Sequence, residues 1–285
     1  MELLQTTILR PVSCYGIGVH SGQKTQLTLK PAPANTGILF IRSDITAVSN
    51  VLQAHYSTVT ETMLSTTISN DAKVKISTIE HLMAALYGCG INNIIVEIDG
   101  PEVPIMDGSS KAFVFLIECA GTTTLNAPRK TLRILRDISV THKDAEIHIT
   151  PALGFSIEVN IDFTSPAIGK QSMLLNDAGL FKDEISAART FGFMHELEYL
   201  KKNGLARGAS LENAIGIDGD KILNEGGLLF ENEFARHKLL DAVGDLHTAG
   251  TDIIGHFTCN KPGHFLNNEI LRKIFSDPNN YQMVA

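Results

Sequence analysis

The chain repeats one pattern at two places 120 residues apart: Leu27-Thr28-Leu29-Lys30-Pro31-Ala32 and Ile147-His148-Ile149-Thr150-Pro151-Ala152. Each copy leads to a glycine, Gly37 or Gly154, and then to a second strand-like run, which is continuously apolar over 38–41 and alternates apolar with polar residues over 155–161. Alternation with a period of two is typical of half-buried β-strands, and proline and glycine between two such runs indicate a turn. The sequence therefore predicts two similar β-hairpins.

A helix-like pattern also occurs twice, as Glu80-His81-Leu82-Met83-Ala84-Ala85-Leu86 and as Arg236-His237-Lys238-Leu239-Leu240-Asp241-Ala242. Each copy has a histidine at its second position and precedes glycines and an apolar, strand-like run. The two histidines are 156 residues apart, which is 36 more than the two hairpins, so we predict an insertion within 191–220. The repeated order of elements favours an internal duplication.

These repeats predict the α+β fold class, with two domains of similar topology that each layer a β-sheet with helices. The polar, proline-containing segment 121–130 is the best candidate for a linker. We therefore predict a first domain over 1–124 and a second over 125–285, with the insertion at about 191–220. Two facing domains would bring His81 and His237 into one inter-domain cleft, where we expect the active site.

Composition excludes several classes of protein. Among 285 residues, 24 are Lys or Arg and 31 are Asp or Glu, and this acidic balance argues against a nucleic-acid partner. We find neither an apolar run of about 20 residues nor a secretory signal, so we expect at most peripheral membrane contact. The four cysteines lack CxxC spacing, which is typical of reduced thiols and a cytoplasmic protein.

His237, Asp241 and Asp245 are spaced four residues apart in a predicted helix that begins after Asn232, a good N-cap residue. A histidine and an aspartate at i and i+4 can hold one metal ion from a single helix. A solvated polar face with a helical His–Asp pair explains the same spacing, and short motifs often match by chance.

Ser77-Thr78-Ile79-Glu80-His81 matches the capping box that opens a helix, in which Glu80 only caps the backbone. The functional alternative makes His81 a third metal ligand and Glu80 the base that acts on the attacking water. Two histidines and one carboxylate leave a fourth zinc position open, which is typical of catalytic sites.

Three further residues are candidates with equally simple structural explanations. His264 follows a predicted strand and the turn residues Pro262 and Gly263, and a loop histidine is either a proton donor or merely exposed. Thr190 offers a hydroxyl to an oxyanion, and the neighbouring Phe191 belongs to the core or to an apolar groove.

Taken together and in order, the motifs resemble those of the UDP-3-O-acyl-N-acetylglucosamine deacetylases, zinc hydrolases of lipid A biosynthesis in Gram-negative bacteria. The resemblance spans nearly the whole chain. It rests on Gly16-Ile-Gly-Val-His-Ser-Gly22, Ser77-Thr-Ile-Glu-His81, Pro101-Glu-Val-Pro-Ile-Met-Asp-Gly108, Ala188-Arg-Thr-Phe-Gly-Phe193, Arg236-His-Lys-Leu-Leu-Asp-Ala-Val-Gly-Asp245 and Lys261-Pro-Gly-His264.

The resemblance implies three groups of site residues. The metal ligands would be His81, His237 and Asp241. The catalytic residues would be Glu80 as general base, His264 as general acid, Asp245 as its orienting partner and Thr190 at the oxyanion. The substrate contacts would be Leu64, Phe191 at the sugar and Lys238 at the diphosphate. Pro262 departs from the serine expected there, which affects the loop geometry rather than the role of His264.

The resemblance further implies a monomer that uses Zn²⁺, with Fe²⁺ as the alternative in the cell. The substrate would be a lipid-linked nucleotide sugar, UDP-3-O-(3-hydroxyacyl)-N-acetylglucosamine, which loses acetate. The insertion would form the passage for the acyl chain. Two other functions fit the residues: a zinc hydrolase of another acylated amine without a fatty chain, and a metal-free binding protein with the same fold.

Overall fold

A computed structural model describes residues 3–284 of the chain. Its helices are α1 (Glu80–Gly88), α2 (Lys111–Ala120), α3 (Phe181–Glu184), α4 (Met194–Lys202), α5 (Glu233–Leu246) and α6 (His264–Phe275). Its strands are β1 (Leu4–Ile8), β2 (Val12–Ile17), β3 (Lys24–Pro31), β4 (Ile38–Arg42), β5 (Val51–Gln53), β6 (Val59–Glu61), β7 (Thr67–Ser69), β8 (Lys75–Ile76), β9 (Ile94–Ile98), β10 (Thr122–Pro128), β11 (Thr131–Ile134), β12 (Ile138–His142), β13 (Ala145–Thr150), β14 (Phe155–Asp162), β15 (Lys170–Leu175), β16 (Phe191–Phe193), β17 (Ile215–Asp218), β18 (Lys221–Ile222), β19 (Asp252–Asn260) and β20 (Tyr281–Val284).

Two sheets of the same topology form the two halves of the α+β fold. The first has the order β2-β3-β9-β4-β5, and the second contains the order β12-β13-β19-β14-β15 with β11 and β20 added beside β19. In both sheets the central strand is antiparallel to one neighbour and parallel to the other. The internal duplication predicted from the repeats is therefore confirmed as two similar α+β units.

The two predicted hairpins are wrong in their pairing, although their strands exist. The apolar strand β9 lies between β3 and β4, and β19 lies between β13 and β14. Because the flanking strands still run antiparallel to each other, their alternating pattern is the same as that of a true hairpin. The connections need only span about 10 Å across one inserted strand, which a few extended residues can do.

The segment 121–130, predicted as a linker, contains a β-strand instead. Thr122–Pro128 form β10, which pairs antiparallel with β1. A polar, threonine-rich segment with alternating partial burial suits such an edge pair. The division into 1–124 and 125–285 stays a prediction.

Each half carries a separate small sheet that interrupts the repeated pattern. The first half has β6-β7-β8, and the second has β16-β17-β18 with α4 between its first two strands. The second of these sheets occupies the region for which the extra 36 residues predict an insertion.

Helices α1 and α5 pack closely against each other between the two sheets. Each sheet has its own apolar core, and Ala84 of α1 packs into the core of the second half. Gly244 makes this approach possible, since a Cβ built there would lie 2.0 Å from the carbonyl oxygen of Glu80. The helices that carry the candidate histidines are thus held together along their lengths.

Candidate metal centre and acid–base cluster

The packing of α1 on α5 brings His81 and His237 together across the two halves of the chain. Their ring centroids are 5.0 Å apart, and the rings are nearly perpendicular. Asp241 lies one turn after His237, and its Oδ1 is 3.4 Å from Nε2 of His237 and 3.5 Å from Nε2 of His81. All three side chains are buried, so the three atoms converge in a protected place.

The spacing of these atoms fits a tetrahedrally coordinated ion. Ligand atoms about 2.0–2.1 Å from a tetrahedral Zn²⁺ are separated by roughly 3.4 Å, which matches the observed distances. Burial lowers the pKa of His237 to about 4, so this imidazole is neutral near pH 7. Its Nδ1 lies 3.0 Å from the carbonyl oxygen of Ala188, which favours a proton on Nδ1 and a lone pair on Nε2.

Lys238 contacts the carboxylate of Asp241. Its Nζ donates to Oδ2 of Asp241 at 2.8 Å, which leaves Oδ1 directed at the histidines. The same ammonium group lies 5.7 Å from the ring centroid of Phe191. The contact with the diphosphate that the resemblance implies for Lys238 stays a prediction.

A second buried cluster joins Glu80, Asp245 and His264. Nδ1 of His264 lies 2.8 Å from Oδ2 of Asp245, which also accepts a hydrogen bond from Nδ2 of Asn267 at 2.8 Å. Oε2 of Glu80 accepts from the backbone N–H of Thr66 at 3.0 Å. One carboxylate therefore lies beside the candidate ligand His81, and the other orients an imidazole.

The environment shifts the pKa values of Glu80 and His264 upward for different reasons. Burial raises the pKa of Glu80 to about 7, against the opposing effect of the nearby His264 and His81. Burial alone would lower the pKa of His264, but the carboxylates of Asp245 and Glu80 outweigh it and raise the pKa to about 9. Near pH 8 the cluster can thus hold a carboxylate and an imidazolium together, which suits a base and an acid.

Two cavities meet at these clusters. One, of about 260 Å³, runs along β16, α4 and β17 and is lined mainly by apolar side chains, among them Phe193, Leu197 and Leu200. The other, of about 370 Å³, is lined by the three candidate ligands together with Lys238 and His264. Both cavities are lined by Leu64, Glu80, His81, Thr190 and Phe191.

Two local predictions from the sequence are wrong. α1 begins at Glu80 after Ile79, so Ser77 is not its N-cap, and the Glu80 carboxylate faces Thr66 instead of capping the helix. Thr78 has a φ of 58°, and this left-handed residue separates Ser77 from the helix. His264 is the first residue of α6 rather than part of a loop, with Gly263 at the N-cap.

The structure also adds functional neighbours that the sequence did not indicate. Thr66 and Asn267 bind the carboxylate of Asp245, and the carbonyl group of Ala188 binds His237. Asn267 follows His264 by three residues, a spacing that places both on one helix face once α6 is known. Thr66 lies 179 residues from Asp245, and no pattern in the sequence connects them.

None of the helices in residues 3–284 is both long and apolar enough to cross a membrane.

Comparison with known proteins identifies relatives over almost the full chain. The family model of UDP-3-O-acyl N-acetylglycosamine deacetylase matches residues 5–276. A UDP-3-O-acyl-N-acetylglucosamine deacetylase of Myxococcus xanthus is 49% identical over 282 residues, covering 98% of this chain and 89% of the relative. Proteins of the same name from Pasteurella multocida and Shewanella oneidensis are 46% and 44% identical, each covering 99% of this chain and 93% of the relative.

Proposed function

Because the chain belongs to the UDP-3-O-acyl N-acetylglycosamine deacetylase family, we propose that it hydrolyses the N-acetyl group of UDP-3-O-(3-hydroxyacyl)-N-acetylglucosamine and releases acetate. This reaction is an early step in the biosynthesis of lipid A. The observation that carries the proposal is the position of both buried clusters where a polar and an apolar cavity join. Such a substrate has the same division, with a nucleotide on one side of the reacting amide and an acyl chain on the other.

The metal of this enzyme is proposed to be Zn²⁺, with Fe²⁺ as the alternative, held by His81, His237 and Asp241. Nitrogen and oxygen ligands suit both ions, and three protein ligands leave a position for substrate or water. When bound, the ion supplies a Lewis acid for the acetamide carbonyl and lowers the pKa of the attacking water.

Glu80 is the proposed general base. It neighbours the ligand His81 in the chain, and its Oε2 is held by the backbone N–H of Thr66, so its carboxylate is fixed beside the centre. It would take the proton of the water that attacks the acetamide carbonyl. Negative charge then develops on the carbonyl oxygen, and the hydroxyl group of Thr190, which lines both cavities, would donate a hydrogen bond to it.

His264 is the proposed general acid. Cleavage of the C–N bond requires a proton on the leaving nitrogen, because an amine anion is a very poor leaving group. The imidazolium of His264 can supply this proton, and Asp245 orients the ring through Nδ1 and stabilises its charge.

We therefore expect a bell-shaped dependence of kcat/KM on pH. Glu80 acts as a carboxylate, so the rate rises with pH through the pKa of that group, about 7 or lower once a cation is nearby. His264 acts as an imidazolium, so the rate falls as pH rises through about 9. We expect His264→Ala to remove the falling limb of kcat/KM, and Asp245→Asn to move it to lower pH. A falling limb that is unchanged in His264→Ala would contradict the assignment of the acid.

The apolar cavity is proposed to hold the acyl chain. We expect kcat/KM for acetate release to rise with acyl length by about fourfold per buried methylene, until the cavity is filled, since each buried CH₂ contributes about 0.8 kcal/mol. Ala214 lines this cavity, and Ala214→Phe should narrow it. The variant should lose activity on long chains and keep it on a substrate with a two-carbon acyl group.

This series separates the proposed function from its rivals. Equal kcat/KM for all chain lengths, or an equal loss on short and long chains in Ala214→Phe, would indicate a hydrolase of another acylated amine. Absence of acetate release from every substrate, with Zn²⁺ or Fe²⁺ supplied, would indicate the metal-free binding protein. We further propose that the protein is a cytoplasmic monomer: the family resemblance implies the monomer, and the four cysteines without CxxC spacing favour reduced thiols.

A further inference from the structure

Thr66 lies between the two catalytic carboxylates. It directly precedes β7 in the small sheet of the first half, and it is 2% exposed. Its backbone N–H donates to Oε2 of Glu80 at 3.0 Å, and its Oγ1 donates to Oδ1 of Asp245 at 2.5 Å. One residue therefore contacts both the proposed base and the partner of the proposed acid.

The hydrogen bonds of Asp245 explain why this hydroxyl group matters. Its Oδ2 accepts from Nδ1 of His264 and from Nδ2 of Asn267, both at 2.8 Å, while Oδ1 accepts from Thr66. Donors on both oxygens fix the rotation of the carboxylate, and that rotation sets the direction of the imidazole ring. Asp245 belongs to α5 in the second half, so the hydroxyl group also ties the first half to the acid.

From this geometry we infer that Thr66 is a positioning residue for the deacetylation reaction. Its N–H holds the base, and its hydroxyl group holds Asp245, so that base and acid keep a fixed separation. The inference rests on the proposed function, because it takes Glu80 and His264 as the proton-transfer groups. It assigns a role in the reaction to the small sheet of β6, β7 and β8.

The neighbouring Thr67 provides a matched control. It is also a buried threonine, but its Oγ1 bonds Oγ of Ser77 at 2.9 Å and makes no hydrogen bond to the carboxylate of Glu80 or Asp245. Thr66→Val removes the hydroxyl group while it keeps the shape and the backbone N–H, and Thr67→Val makes the same change one residue away. Thr66→Ser keeps the hydroxyl group and loses a methyl group.

The test is steady-state acetate release by the metal-loaded full chain, with KM, kcat and metal content measured for each variant. Thr66→Val should lower kcat by about tenfold or more, the usual effect of losing a hydrogen bond to a charged group, with KM and metal content unchanged. Thr66→Ser should restore kcat to within a few-fold of the wild type, and Thr67→Val should stay near it. Equal kcat values in Thr66→Val and Thr67→Val would overturn the inference, as would a Thr66→Ser variant as slow as Thr66→Val.

A double-mutant cycle shows whether the hydroxyl group acts through Asp245. Thr66→Val should have little further effect on kcat in an Asp245→Asn background, since its partner is already altered, whereas independent effects would multiply. Multiplicative effects would overturn the inference. Failure of the proposed function looks different, because the wild type itself would then release no acetate.

Discussion

His237→Ala is expected to lose the metal ion and to lower acetate release by about a thousandfold or more, because a catalytic metal contributes several kcal/mol to the transition state. His237 would supply one of the three proposed ligand atoms, and its Nε2 lies 3.4 Å from Oδ1 of Asp241. Two remaining ligands from different helices would hold an ion weakly. Metal content after gel filtration measures the loss independently of activity.

His148→Ala is the control for this experiment. His148 lies in β13 with 40% of its side chain exposed, and its contact is with Asp137. That variant should keep its metal and its activity. If His237→Ala instead retained one tightly bound ion per chain, the assignment of the metal centre to His81, His237 and Asp241 would be wrong.

Gly244→Ala is expected to destabilise the protein and to reduce its activity, because Gly244 lies where α5 packs against α1. The added Cβ would lie 2.0 Å from the carbonyl oxygen of Glu80 and 3.1 Å from the backbone nitrogen of Ala84. Both are backbone atoms, so α1 must move away from α5 to accept the methyl group. That movement would displace Glu80 and His81 from the proposed ligands on α5.

The expected size of the effect follows from two opposing terms. Alanine is favoured over glycine inside a helix by roughly 0.5–1 kcal/mol, whereas overpacking of a tight interface costs about 1–3 kcal/mol or more. We expect the clash to dominate and the thermal midpoint to fall by a few degrees, since 1 kcal/mol shifts the midpoint of a protein of this size by about 2–4 °C. Calorimetry measures this shift, and metal content reports whether the centre survives.

Gly226→Ala is the matched control, since no atom lies within 4 Å of a Cβ built at that glycine among the residues that the structure describes. It should leave the midpoint nearly unchanged. A higher thermal midpoint in Gly244→Ala would mean that the helix propensity of alanine outweighs the clash with the backbone of α1. In that case α1 and α5 would not be packed as closely as the structure has them.

The sequence by itself determined the local elements and much of the chemistry. Alternating apolar residues predict β3, β13 and β14, a short apolar run predicts β4, and the repeated order of elements predicts two similar α+β units. The spacing of His237 and Asp241 placed both on one face of α5, because residues four apart in a helix are neighbours. These inferences succeed because periodicity and short spacing depend only on residues close in the chain.

Only the tertiary structure decided which strands pair with each other and which side chains come into contact. The insertion of β9 between β3 and β4 could not be predicted, since antiparallel strands show the same alternation whether or not another strand separates them. The sequence likewise places His264 in a loop, whereas in the structure it is the first residue of α6 and its Nδ1 lies 2.8 Å from Oδ2 of Asp245.

The candidate site likewise depends partly on local sequence patterns and partly on tertiary contacts. The sequence offers His81, Glu80 and His264 as candidates with simple structural alternatives, and the duplication predicts that His81 and His237 share one cleft. The contact of α1 with α5 brings His81 to Asp241, and the start of α6 brings His264 to Asp245. Thr66 had no signal at all, because its role depends on Asp245, 179 residues away. A contact at that separation is fixed by the burial of many side chains at once, which no local pattern records.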